Sequence, residues 1–121
     1  MWVVLTAEPF DIWYESQTEA DRENVLASIL VLQELGPGLG RPHADTVKGS
    51  SFPNMKELRI QSKGRPLRAL FAFDPGRRAI LLCGGDKSGA GDKRFYKKLI
   101  ALADAEFARH LDEMNRSDDD G

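Results

Sequence analysis

The chain has 121 residues, 41% of them hydrophobic and 30% charged, with a formal net charge of −2. This is the size and composition of one globular domain with one core, and it leaves no room for two. One cysteine cannot make an internal disulfide, two histidines and that cysteine supply no zinc-ligand cluster, and no apolar run approaches a membrane span. The N-terminus lacks the basic start and apolar stretch of a secretory signal, so the expected location is cytoplasmic, with no metal and no cofactor.

The bulk charge hides an uneven distribution. Between Arg41 and Lys98 lie 14 of the 17 basic residues but only 5 of the 19 acids, a local balance of +9 between flanks of −6 and −5. A basic segment of this kind attracts a polyanion, nucleic acid being the commonest. The alternative is a solvated surface with incidental clustering.

Met1–Leu5 is rich in β-formers and predicts a short strand. Thr6 is placed to cap a helix whose first turn holds Glu8 and Pro9, and Phe10, Trp13 and Tyr14 follow at helical spacing. Thr18 and Asp21 resemble a capping box with Asp in place of Glu. Val25, Leu26, Ile29, Leu30, Leu32 and Leu35 predict a second helix, stopped at Gly36-Pro37-Gly38. The stretch 36–53, punctuated by proline and glycine, reads as loop.

Three strands are then expected. Lys56–Gln61 places Leu58 and Ile60 on one face, with Glu57 and Arg59 on the other. Leu67–Asp74 places Leu67, Ala69, Phe71 and Phe73 on one face, with Arg68, Leu70 and Ala72 opposite, because side chains alternate along a strand. Ala79–Gly84 is apolar on both faces, as a central strand is. Tight turns at Lys63-Gly64 and Asp74-Pro75-Gly76-Arg77 link the three into an antiparallel meander. A glycine-rich loop spans 84–92. Phe95, Leu99, Leu102, Ala103, Phe107 and Leu111 mark a terminal helix or a broken pair. One domain is expected over 1–113, followed by an acidic, disordered tail over 114–121.

Arg59 and Arg68 are the foremost candidate site residues. Hairpin pairing across Lys63-Gly64 brings them onto one surface, where two guanidinium forks suit phosphate oxygens and a phosphorane-like transition state. The bland reading is two ordinary exposed arginines, paired with Glu57. Lys87, in a glycine-rich loop that permits close ligand approach, is the third candidate; the loop is neither a Walker loop nor a dinucleotide fingerprint. Lys93, Lys97 and Tyr96 surround a core-facing Phe95, and Tyr96 is available for base stacking. Lys48 and Lys56 complete the basic set. His43, in the basic segment, is a candidate acid or base for ribose chemistry. His110, Cys83, Trp2 and Trp13 read as structural.

The runs Asn54–Arg59, Arg68–Pro75 and Leu81–Gly89 together resemble the HigB branch of the RelE/ParE toxin superfamily, and more closely its phage-derived toxin group, over nearly all of Trp2–Leu111. The resemblance implies an α+β fold of the RelE type, with two N-terminal helices packed on a mostly antiparallel sheet, a basic cleft on the other face and a C-terminal helix. It also implies a type II toxin–antitoxin system, with a helix-turn-helix antitoxin as partner in a hetero-oligomer. The implied activity is cleavage of mRNA, often on the ribosome, which inhibits translation. Arg59 and Arg68 match the family's strand arginines and Lys87 its basic residue after the last strand; His43 falls on no motif. The chain departs from the pattern near Asp92 and Phe95, where the family favours tryptophan.

The expected reaction is metal-independent endoribonuclease cleavage. The 2′-hydroxyl attacks the adjacent phosphate, Arg59 and Arg68 neutralise the phosphorane, and Lys87 holds the phosphate or assists the leaving oxygen. The general base is open among His43, Tyr96 and a lysine. Two other readings stand beside this one: a ParE-like inhibitor of DNA gyrase, and a nucleic-acid-binding module without chemistry.

Overall fold

The computed structural model describes residues 1–89 and 91–120, with side chains through Arg116. In chain order the elements are β1 (Val4–Thr6), α1 (Glu8–Glu15), α2 (Glu19–Leu35), β2 (Ala44–Thr46), β3 (Lys56–Ser62), β4 (Arg65–Phe73), β5 (Ala79–Asp86) and α3 (Asp92–Asp120). The five strands form one sheet in the order β1-β5-β4-β3-β2. Every neighbouring pair is antiparallel except β1 and β5. This is the expected α+β arrangement, and β3-β4-β5 is the expected meander.

Strand parity decides the layers. Leu58 and Ile60 of β3 join Leu67, Ala69 and Phe71 of β4 in one core, which α1 and α2 close with Phe10, Val25 and Leu32. Leu70 and Ala72 of β4 and Ile80, Leu82 and Cys83 of β5 face the other way, under Leu99, Ile100, Ala103 and Phe107 of α3. β4 and β5 are thus buried on both sides, and each fully buried Leu or Phe contributes about 1.5–3 kcal/mol. Two adjacent glycines let both helical layers close on β5. A Cβ on Gly84 would lie 2.3 Å from the Trp13 ring, and one on Gly85 would lie 2.9 Å from Phe95. These glycines admit the protein's own aromatics from opposite faces, not a ligand as the sequence suggested. The Lys63-Gly64 turn is as expected, with positive φ of 51° and 79° at its two residues.

Several local readings need correction. Thr6 ends β1, and the residue before α1 is Ala7, which makes no side-chain cap. The capping box is half formed: Thr18 Oγ1 accepts from Asp21 N at 3.2 Å. The Asp21 carboxylate turns instead to Ser62 and Arg65, tying α2 to the β3–β4 hairpin. The apolar stripe of α2 is narrower than read. Val25, Ile29 and Leu32 pack inward, while Leu26, Leu30 and Leu35 are exposed. The 36–53 stretch contains β2, a three-residue edge strand too short to show alternation. The terminal helix is unbroken and assigned through Asp120; the expected tail over 114–121 lies partly outside the described residues. No helix among the described residues is long and apolar enough to cross a membrane.

Candidate active site

α3 covers β4 and β5 but stops short of the sheet's β2 edge. Its first turns, β2, β3 and the segment after β2 line a cleft of about 780 Å³, a volume usual for a ligand pocket. Its lining includes Asp45, Lys48, Glu57, Arg59, Lys87, Asp92, Lys93, Tyr96, Lys97 and Asp104, with Val47, Ile100 and Ala101 as its apolar part. The cleft opens on the sheet face opposite α1 and α2, where a basic cleft was expected.

Arg59 and Arg68 are direct partners in the β3–β4 ladder. The register that buries Leu58 and Ile60 therefore forces both guanidiniums to the cleft face. They do not stand alone there. Glu57, with a side chain only 6% exposed, lies between them: its Oε1 accepts from Arg59 Nε at 2.9 Å, and its Oε2 is 3.9 Å from Arg68 Nε. Tyr96 of α3 donates its hydroxyl to the same Oε2. Arg59 also reaches Asp45 Oδ2 at 3.3 Å, where Arg41 binds at 2.8 Å. Glu57 and then Asp45 hold the Arg59 guanidinium above even its usual range. The Arg41 hydrogen bond heads the influences that hold the Asp45 carboxyl below the usual carboxylate range.

Arg68 is set deeper. Its side chain is 12% exposed and it is not among the cleft-lining residues. Nη1 donates to Leu67 O at 3.0 Å, and Nε is buried without a hydrogen-bond partner. A buried unpaired donor on a charged group is costly, and an incoming anion would relieve it. Tyr96 is half-buried, and burial together with the Glu57 carboxylate pushes its phenol up to about 12. It therefore keeps its proton at neutral pH, which removes it as a resting-state base.

Lys87 follows β5 and its chain is fixed on both sides. Its backbone N–H donates to Pro66 O at 2.9 Å, and Arg65 Nη1 holds Asp86 Oδ2 at 2.9 Å. The Lys87 ammonium sits 3.5 Å from Asp92 Oδ2 and 5.5 Å from the Tyr96 ring centre. Lys48, Lys93 and Lys97 rim the cleft, so Lys48, Arg59, Lys87, Lys93, Tyr96 and Lys97 all line one space. Two of the expected residues do not. His43 is exposed and contributes only its carbonyl, which accepts from Arg59 N at 2.8 Å. Lys56 shares strand parity with Leu58 and Ile60, which turns it to the α2 side; it is correspondingly absent from the lining.

What sequence reasoning missed is Glu57 as the hub and Asp45 as its neighbour. The signal for Glu57 was present, since alternation already placed it on the face of Arg59 and Arg68. The cleft is also less cationic than the +9 segment suggests: five cations line it against four carboxylates. Of the other singled-out residues, His110 Nε2 lies 2.8 Å from the buried Asp74 carboxylate, which Arg78 also binds at 2.9 Å. Cys83 is buried, and burial raises its thiol to about 12. Both residues serve the core.

The description "Phage derived protein Gp49-like (DUF891)" matches residues 13–108. Two Mycobacterium tuberculosis proteins are similar to the chain. One, named "Putative toxin HigB2", is 48% identical over 105 residues, covering 86% of this chain and 52% of its own length. The other, "Putative toxin HigB3", is 48% identical over 92 residues, covering 76% of this chain and 78% of its own. The chain thus spans about half the length of the first of these relatives. Among solved structures, a double arginine-to-alanine mutant of the Escherichia coli toxin RelE, in the free state, matches with a TM-score of 0.58 at 10% identity. That match covers 83% of this chain and 94% of that one, a likeness of fold. The chain belongs to the phage-derived Gp49-like family, has relatives named HigB, and carries the RelE fold.

Proposed function

We propose that the protein is the toxin of a type II toxin–antitoxin system, acting as a metal-independent endoribonuclease on mRNA, including mRNA on the ribosome, in the cytoplasm. The observation that carries this reading is the pairing of Arg59, in a nucleotide-sized cleft, with Arg68 set deeper beside it on the same sheet face, together with Lys87 and Tyr96 in the cleft lining. Cleavage by 2′-hydroxyl attack passes through a phosphorane-like state with extra negative charge. Preorganised guanidinium and ammonium groups stabilise such charge without reorganising at the moment of reaction. Arg59 and Arg68 take the non-bridging oxygens, and Lys87 anchors the phosphate near the leaving oxygen. Lys48, Lys93 and Lys97 on the rim hold the flanking phosphates. The names of the two relatives support the toxin assignment, and a helix-turn-helix antitoxin in a hetero-oligomer is the proposed partner.

The test is induction of the protein in cells, with transcript 5′-ends mapped and plasmid supercoiling followed together. Internal mRNA cuts with unchanged supercoiling support the reading. Intact transcripts with relaxed plasmids would replace it with a gyrase inhibitor. Neither effect would leave a binding module.

A further inference from the structure

Glu57 is a buried carboxylate in the reaction centre that the phosphate-binding scheme above leaves unused. Its ladder partner is Leu70, which is packed from the α3 side. We infer that Glu57 is the general base that takes the proton of the attacking 2′-hydroxyl, that Tyr96 is the general acid that protonates the departing 5′-oxygen, and that the hydrogen bond joining them resets the pair after each cut. This rests on the ribonuclease reading of the same cleft.

Geometry singles out these two side chains. Glu57 and Tyr96 both line the cleft and are bonded to each other, and both adjoin the arginines. The groups facing Glu57 are Arg59 on its own strand, Arg68 on β4 and Tyr96 on α3. Asp45 stands behind Arg59, and Lys87 with Asp92 lies beyond Tyr96. A carboxylate has about four acceptor positions. Here Oε1 accepts from Arg59 and Oε2 from Tyr96, which leaves acceptor positions unused.

At rest Arg59 and Arg68 face the Glu57 carboxylate at 2.9 and 3.9 Å. An arriving phosphate draws Arg59 and Arg68 onto its oxygens. The carboxylate oxygens that faced them are then open to the 2′-hydroxyl as it presents its proton. Tyr96, whose phenol stands near 12, is protonated at working pH and suited to an alkoxide leaving group. The Lys87 ammonium 5.5 Å from its ring favours the phenolate that forms. His43 is outside the cleft, and the Lys87 ammonium is paired with Asp92.

The step balances without a co-reactant. The 2′-oxygen–phosphorus bond forms as its proton passes to Glu57. The phosphorus–5′-oxygen bond breaks, its electron pair stays on oxygen, and that oxygen takes the Tyr96 proton. The Tyr96 phenolate then recovers a proton from Glu57 across their hydrogen bond. Nothing is oxidised or reduced.

The test uses the full chain and an oligoribonucleotide of the cleaved sequence, free and on programmed ribosomes. The scissile 5′-bridging atom is either oxygen or sulfur, since a thiolate leaves without needing a proton. Wild type, Glu57→Gln, Glu57→Asp and Tyr96→Phe are compared over pH, after melting curves. Tyr96→Phe should be slower by about 10²–10⁴ on the oxygen substrate and close to wild type on the sulfur one. Glu57→Gln should be slow on both, with KM little changed, and should lose the limb on which rate rises with pH; Glu57→Asp should keep that limb. Tyr96→Phe equally slow on both substrates, or Glu57→Gln within tenfold of wild type with its limb intact, overturns the inference while leaving a ribonuclease. A wild type that cuts neither substrate overturns the ribonuclease reading itself. Should Glu57→Gln unfold, the two leaving groups with Tyr96→Phe decide alone.

Discussion

Arg68→Ala separates chemistry from stability better than any other single change. The side chain is 12% exposed, gives one hydrogen bond to Leu67 O at 3.0 Å, and stands 3.9 Å from Glu57. Losing that bond costs about 1 kcal/mol net. The substitution also removes a buried Nε that has no partner, and an unsatisfied donor itself costs about 1–3 kcal/mol. Glu57 keeps Arg59 and Tyr96, so no carboxylate is stranded. The two terms nearly cancel, and the melting temperature should move by no more than about 5 °C. The rate should fall by about 10²–10³, or roughly 3–4 kcal/mol of barrier, the usual loss for one preorganised transition-state donor. Arg68→Lys should recover little, since it keeps charge without the fork. Arg77→Ala, in the turn beyond β4 where the guanidinium lies 5.3 Å from the Trp2 ring, should leave the rate unchanged. RNA cleavage by purified variants of verified melting temperature is the assay. Full activity in folded Arg68→Ala removes this residue from the site, and inactivity with a collapsed melting temperature makes it structural.

Other consequences follow from the same geometry. Gly84→Val should destabilise by at least about 2 kcal/mol in chemical denaturation, because a Cβ there would lie 2.3 Å from Trp13. Burial alone would raise the Asp74 carboxyl, but hydrogen bonds from His110 and Arg78 outweigh it and hold it below the usual carboxylate range. A depressed folded value stabilises above the unfolded value and ceases to do so as pH falls through the folded one. The melting-temperature gap between wild type and Asp74→Asn should therefore hold at about pH 5–7 and close below about pH 4. Cys83, with its thiol near 12, should resist iodoacetamide in the native protein and react on unfolding. If about four cations meet phosphates of a single strand, log K for RNA should fall with log salt at a slope of roughly −3; a flat response would exclude the basic rim as the binding surface.

The parts of the fold legible in the sequence were those with strong alternation. Leu67, Ala69, Phe71 and Phe73 against Arg68, Leu70 and Ala72 fixed the register of β4, and with it the Arg59–Arg68 pairing. β2 was illegible because three residues carry no period. The path of α3 was illegible for another reason. Leu70, Ala72 and Leu82 signal a second buried face, but not that a C-terminal helix covers it and stops at the cleft. In the site, Glu57 was visible on the right face, but its hub position depends on Tyr96 arriving from α3, a contact between residues 39 apart in sequence. Lys56 was drawn in by charge although its parity already pointed to the helical side. His43 was drawn in by its chemistry alone.

The ends of the cut RNA report most directly on the mechanism. An oligoribonucleotide should be incubated with the protein, free and on ribosomes, in parallel with one carrying a single 2′-deoxy sugar at the scissile nucleotide, and the products weighed by mass spectrometry. Attack by the 2′-oxygen predicts a 2′,3′-cyclic phosphate facing a 5′-hydroxyl, and no cut at the deoxy position. Cleavage of the deoxy substrate, or 5′-phosphate ends, would show that water is the nucleophile and contradict the mechanism built on Arg59, Arg68 and Lys87.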